Sequence, residues 1–152
     1  MRVSPEATIA VAVPVPDDLT PADTSSYVKI GLADSLRRYL TRVEAFTFQL
    51  DPEPAEISQL CAKLANFDVL VIGTINAAEY RGQAALVDKL NRQSQRVITV
   101  ALRMPYDLAA YSAARTHICT YSILPPSMEA LADAIFGRIP FPGILPVTIP
   151  TR

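Results

Sequence analysis

The sequence predicts an α/β protein: a three-layer sandwich of flavodoxin-like type, with a mainly parallel sheet of five to six strands between layers of helices. Three observations carry this expectation. Short apolar runs alternate with amphipathic stretches from residue 8 to residue 137, the rhythm that puts helices on both faces of a parallel sheet. The runs at 68–72 and 97–102 are apolar almost throughout instead of alternating, as in strands covered on both sides. Finally, 152 residues, half of them hydrophobic, suit one domain with a core of its own, taken as 1–152.

Each element has a local reason. Residues 8–13 form the first strand. A loop with Pro14, Pro16, Asp17, Asp18 and Pro21 follows, leading to Ser25 or Ser26, either of which can cap a helix. In that helix Val28, Leu32, Leu36, Tyr39 and Leu40 recur on one face, while Lys29, Arg37 and Arg38 point away. Residues 43–48, rich in β-branched and aromatic types, make the second strand. Asp51 is expected to cap the second helix, with Pro52 at its first position, and Ile57, Leu60, Cys61 and Leu64 give its apolar stripe.

The third strand covers 68–72, closed by Gly73. A third helix over roughly 83–91 turns Leu86, Val87 and Leu90 inward, and the fourth strand follows at 97–102. A shorter fifth strand is expected at 117–121. Ser127 is read as the cap of the last helix, whose Met128, Leu131, Ala132 and Ile135 repeat the stripe, with Gly137 as a left-handed stop. Pro140, Pro142, Pro146 and Pro150 exclude a further helix and suit an extended arm or edge strand.

Composition excludes several functions. A net charge of −1, with no basic stripe interleaved with aromatics, gives no pull toward nucleic acid or an anionic membrane. No apolar run approaches a membrane span. The turn after the first strand, Pro14-Val-Pro-Asp-Asp18, lacks the glycines a dinucleotide site needs, and its two carboxylates would repel phosphate. No cofactor is expected. A phosphorylation receiver fails too, because the third strand ends in Gly73-Thr74 and no lysine follows the fifth. Cys61 and Cys119 belong to no Cys/His cluster and read as free, buried thiols, not metal ligands. His117 is the only histidine, with no nucleophile elbow to serve, and reads as a packed or edge residue.

In this architecture the loops at the strands' carboxyl ends are the default place for a site. Thr74, Asn76, Arg103, Tyr106 and Asp107 are the candidate binding residues there. No catalytic or metal-ligating residue is assigned. Asp107 has two structural alternatives, capping a short helical turn at 108–111 or pairing with Arg103. Glu79 reads as a solvated residue before a helix, and Asp17 with Asp18 as a turn.

Three stretches, in order, resemble one known family. They are Phe67-Asp-Val-Leu-Val-Ile-Gly-Thr-Ile-Asn-Ala77 with Gln83, Leu86 and Val87; Arg96-Val-Ile-Thr-Val-Ala-Leu-Arg-Met-Pro-Tyr-Asp-Leu108; and Thr120-Tyr-Ser122 through Pro125-Pro-Ser-Met-Glu-Ala-Leu-Ala-Asp133, followed by Leu145-Pro-Val-Thr-Ile-Pro150. Together they resemble the second, C-terminal domain of family 3 glycoside hydrolases, in the β-N-acetylhexosaminidase branch.

The resemblance implies an accessory domain beside an N-terminal (β/α)8-type catalytic barrel. That barrel carries an aspartate nucleophile and, in this branch, a histidine acid/base in a Lys-His-Phe-Pro-Gly-His motif. The motif does not occur in these residues, so neither role is transferred and the chain alone is expected to be inactive. The β-glucosidase branch places a glutamate acid/base in a long loop after the third strand. Here that connection is short, Thr74-Ile-Asn-Ala-Ala-Glu79, and the role is not carried to Glu79.

The implied substrate of the parent is β-linked N-acetylglucosamine. Self-association is a further expectation, from a surface suited to meeting a barrel. The implied location is that of a bacterial-type soluble protein, cytoplasmic or exported through a signal not present in these residues. Two alternatives stand beside this reading: a freestanding small-ligand-binding or protein-interaction module using the crevice at 14–18 and 74–76, and a small independent hydrolase using Asp107 or Glu79.

Overall fold

A computed structural model describes residues 4, 6–93 and 96–149. It contains five strands in one parallel sheet: β1 (Ile9–Pro14), β2 (Val43–Phe48), β3 (Val69–Thr74), β4 (Arg96–Ala101) and β5 (His117–Cys119), in the order β2-β1-β3-β4-β5. The helices are α1 (Leu32–Arg37), α2 (Pro54–Leu64), α3 (Arg81–Arg92), α4 (Asp107–Ala110) and α5 (Pro125–Ile135). The three-layer, flavodoxin-like expectation is met, with five strands among the described residues.

The layers follow from the period-two alternation of the central strands. Ile9, Val11 and Val13 of β1, with Val69 and Val71 of β3, face α1 and α5 through Leu32, Leu36, Met128, Leu131 and Ile135. Ala10 and Ala12, with Leu70 and Ile72, face α2 and α3 through Ile57, Leu60, Leu64, Leu86 and Leu90. Strand order explains the division. The step from β1 to β2 and the step from β2 to β3 run in opposite directions, so one hand of crossover sends α1 to one face and α2 to the other. Because β1 and β3 are buried on both faces, they read as continuous apolar runs.

The helix starts differ from expectation. Ser25 and Ser26 do not cap α1; residues 25–27 form a separate 3-10 turn, and α1 begins after Gly31. Ser25 is held by Asp23, whose Oδ1 accepts from its N–H at 2.9 Å and its hydroxyl at 2.5 Å. Helix α2 starts at Pro54 behind Glu53, not at Pro52. Asp51, freed from that start, accepts the N–H of Gly82 at 2.8 Å and so caps α3 instead. Helix α5 starts at Pro125 behind Leu124, leaving Ser127 inside the first turn. In both α2 and α5 a proline takes the first helical position, where its fixed φ and missing N–H cost nothing.

The close of α5 follows expectation. Gly137 adopts φ 69°, its N–H donates to Ala134 at 3.0 Å, and the N–H of Arg138 donates to Asp133 at 2.8 Å, a Schellman closure. From there, residues 138–149 form neither helix nor strand. Pro150 lies outside the described residues. β5 is also shorter than 117–121, ending at Cys119 because Tyr121 turns into the left-handed region at φ 56°. Among the described residues no helix is long and apolar enough to cross a membrane.

Candidate functional site

The carboxyl ends of β1, β3 and β4 meet where the strand order reverses, the usual crevice of this architecture. Two of the five expected site residues, Thr74 at the end of β3 and Asp107 at the start of α4, are joined in one hydrogen-bonded unit. Thr74 ends β3 and is fully buried, and Asp107 opens α4 with 1% of its surface exposed. The Thr74 hydroxyl donates to Asp107 Oδ2 at 2.6 Å, and its oxygen stands 2.8 Å from the Tyr111 hydroxyl. Asp107 Oδ1 accepts the N–H of Ala77 at 3.0 Å. Asn76, the residue before, takes φ 53° to present that amide. Asp107 thus staples the β3–α3 loop to α4.

Neither structural alternative for Asp107 describes this. Asp107 is the first residue of α4, behind Tyr106, its two carboxylate oxygens go to Thr74 and Ala77, and Arg103 turns elsewhere. Burial raises its carboxyl above the usual range, against the opposing hydrogen bonds of Thr74 and Ala77. Burial likewise drives the Tyr111 hydroxyl far up. These groups are shut off from solvent, so their chemistry is directed inward.

Arg103 pairs with Asp23 of the β1–α1 loop, Nη1 to Oδ2 at 2.5 Å. The Asp23 carboxylate also accepts the N–H of Leu19 and both donors of Ser25. The Ser25 hydroxyl, then Arg103, hold its carboxyl well below the usual range. Asp18 takes the N–H of Ser26 at 2.9 Å, so the loop is pinned twice. Tyr106 sits at the rim, 38% exposed. The side-chain amide of Asn76 donates to the exposed Glu79 at 3.3 Å.

Sequence reasoning passed over three contributors, Tyr111, Gln83 and Asp23. Gln83 is fully buried; its Oε1 accepts from the N–H of Ile75, and its Nε2 donates to the carbonyls of Leu50 and Ile75. It clamps the β3–α3 loop from below. A glutamine on the inward face of a predicted helix was the signal. Asp23 had none beyond its place between two turns.

At the sheet's far edge, Thr99 Oγ1 stands 3.1 Å from the carbonyl of Thr116 and 2.8 Å from His117 Nδ1, and His117 Nε2 faces Cys119 Sγ at 3.6 Å. Burial pulls His117 down to about 4 and pushes the Cys119 thiol up, so both are neutral near pH 7. Cys61 and Cys119 are free; Cys61 is buried and Cys119 only partly so, being on the edge strand. Among the described residues no group of three or more His, Cys, Asp or Glu could hold a metal. A depression of about 640 Å³ on the other side of the crevice has Asp17, Asp51, Glu53 and Glu56 on its walls. Asp51 and Glu56 are already engaged by the amides of Gly82 and Gln49.

Residues 7–131 match the family described as the C-terminal domain of β-N-acetylglucosaminidase. The chain belongs to that family. Solved structures extend the match. A family 3 β-N-acetylglucosaminidase from Paenibacillus sp. str. FPU-7 superposes on 99% of this domain with a TM-score of 0.88 at 23% identity. A fungal multi-domain family 3 β-N-acetylglucosaminidase, which also has a GCN5-related glucosamine N-acetyltransferase region, matches 99% of it at 0.81 and 25% identity. A β-glucosidase from Listeria innocua, solved with isofagomine, matches 91% at 0.70 and 15% identity. This C-terminal domain spans only 29%, 16% and 22% of those three chains. No curated protein matches.

Proposed function

We propose that this chain is the accessory domain of a family 3 glycoside hydrolase whose catalytic barrel hydrolyses β-linked N-acetylglucosaminides, and that it performs no hydrolysis alone. The observation that carries this is the family match over residues 7–131, joined to structural relatives in which the equivalent domain is a minor part of a longer chain. The chemistry of the crevice supports it. Glycosidic cleavage uses two carboxyl groups roughly 5–10 Å apart flanking the bond. The one carboxylate at the centre of this crevice, Asp107, is buried and bonded inward to Thr74 and Ala77.

In this reading Thr74 and Asp107 hold the crevice in shape from beneath. Asn76, Arg103 and Tyr106 offer the rim that a neighbouring domain or its bound sugar would touch. The test is a titration of this chain into the separately produced catalytic barrel of its parent. Saturable binding with a raised barrel unfolding temperature is expected, and a barrel indifferent to the domain would remove the reading.

A further inference from the structure

Exposed apolar side chains are not spread evenly over this domain. Ten large hydrophobic residues stand exposed among the described ones. Four belong to the arm after α5. The other six, Val15, Tyr27, Met104, Tyr106, Tyr121 and Leu124, all lie on loops that follow the carboxyl ends of β1, β4 and β5. The loops at the amino end of the sheet carry none among the described residues. Scattered apolar side chains are ordinary on a protein surface, but a set gathered at one end is not. Tyrosine and methionine are also the types enriched where proteins meet.

The loops that carry these side chains are pinned. Arg103 ties the β4–α4 loop to the β1–α1 loop through Asp23, Nη1 to Oδ2 at 2.5 Å. Asp18 holds the N–H of Ser26, next to Tyr27, at 2.9 Å. On the β5 side, the N–H of Thr120 donates to the Ala101 carbonyl at 3.0 Å and its hydroxyl to the Ser122 carbonyl, also at 3.0 Å. Ser122 Oγ in turn accepts the N–H of Leu124 at 3.1 Å. Held between these bonds, Tyr121 takes φ 56°, a left-handed conformation that is costly for a bulky side chain. Its ring is nonetheless 49% exposed, so no burial of the ring repays the strain. Desolvation, then Cys119 and Tyr106, raise the Tyr121 hydroxyl above the ordinary phenol range, which makes Tyr106 a near neighbour. A partner that docks on loops already fixed loses less conformational entropy.

We propose that this rim, centred on Tyr106 and Tyr121, is the surface by which the domain docks on the catalytic domain of its parent. The inference rests on the accessory-domain reading and adds to it the face that is used. The occupant follows from proportion. In the three solved relatives the equivalent domain is 29%, 16% and 22% of the chain. Most of each of those proteins therefore lies outside it, tethered at high effective concentration. The arm, beyond α5, takes no part in this contact.

The test is hydroxyl-radical footprinting of this chain alone and of the whole parent enzyme at equal concentration, since methionine and tyrosine are readily oxidised. Tyr27, Met104, Tyr106 and Tyr121 should be protected several-fold in the parent, while Phe141 on the arm is oxidised equally in both. Tyr121→Gly removes the ring and suits the left-handed backbone. The isolated variant should unfold at an equal or higher temperature than wild type, while Met104 and Tyr106 lose their protection in the parent. A lowered unfolding temperature with protection intact would make Tyr121 a structural residue and overturn the proposal. Equal oxidation of the rim in both proteins, with another face protected, overturns it and leaves the accessory reading standing. No protected face anywhere overturns both. Protection that appears in the isolated chain as its concentration rises names a second copy as the occupant, and protection that needs added N-acetylglucosamine names a sugar. Either result overturns the proposal.

Discussion

Replacing Asp107 with alanine tests the architecture of the crevice most sharply. The substitution orphans two buried donors, the N–H of Ala77 and the hydroxyl of Thr74, both on residues with no exposed surface. An unsatisfied buried donor costs about 1–3 kcal/mol. Against this, the chain no longer has to bury a carboxylate whose ionisation its surroundings disfavour. Thr74 can also swing its proton toward the carbonyl of Val100, 3.5 Å away. The net expectation is a loss of about 2–4 kcal/mol.

Asp107→Asn keeps an acceptor for Ala77 and the shape of the side chain, and should lose about 1 kcal/mol or less. Urea unfolding followed by far-ultraviolet circular dichroism gives both values. If the alanine variant lies within about 0.5 kcal/mol of wild type, the level of an indifferent surface change, the staple is not what holds the β3–α3 loop. Equal losses for the two variants would locate the effect outside the hydrogen bonds.

Four further outcomes follow from the same geometry. His117 has a folded-state value near 4 and an unfolded one near 6.5, so the unfolded chain binds the extra proton and stability falls as pH drops through that window. His117→Gln should flatten this by roughly 2–3 kcal/mol, measured as the difference in unfolding free energy between pH 7 and pH 4; an unchanged slope would refute it. Asp107 has the opposite sign: its raised value makes stability fall as pH rises from the unfolded value through the folded one, and Asp107→Asn should erase that component. Gly82→Ala would put a Cβ 2.2 Å from the carbonyl oxygen of Pro52, whereas at Gly73 the nearest atom is the movable Cδ1 of Leu102 at 2.7 Å. The first should therefore destabilise more than the second, which should cost about 1–3 kcal/mol, and the reverse order in thermal melts would contradict this packing. Asp23→Ala should release the β1–α1 loop, seen as faster hydrogen exchange at Leu19 and Ser25 with the core unaffected; protection equal to wild type would mean the latch does not order the loop.

The layers were legible because burial on both faces writes itself into composition. The continuous apolar runs at β3 and β4 and the stripes of α2, α3 and α5 needed only the local sequence and its period. Helix starts were less legible where two capping devices competed. Asp51 precedes a proline-led helix in sequence, but in space it serves Gly82, 31 residues on. Ser25 looked like a cap and became a ligand of Asp23.

The candidate site was half legible for the same reason. Thr74 and Asp107 could be named from their places at strand ends, yet their partnership spans 33 residues and joins two loops that only the sheet brings together. Arg103 had a carboxylate nearby at Asp107, and chose Asp23, 80 positions back. Long-range pairing of this kind leaves no local trace. The arm was foreseen as extended, but whether it would join the sheet depended on a ladder that its prolines weaken.

The central claim is that this fold contributes to a glycosidase without cleaving the bond itself. The most direct test is release of nitrophenol from nitrophenyl N-acetyl-β-glucosaminide by the purified 152-residue chain. The predicted rate equals the buffer blank at every pH where the domain is folded. Turnover above the blank that disappears in Asp107→Asn or in a Glu79→Gln variant, with the fold intact, would contradict the account.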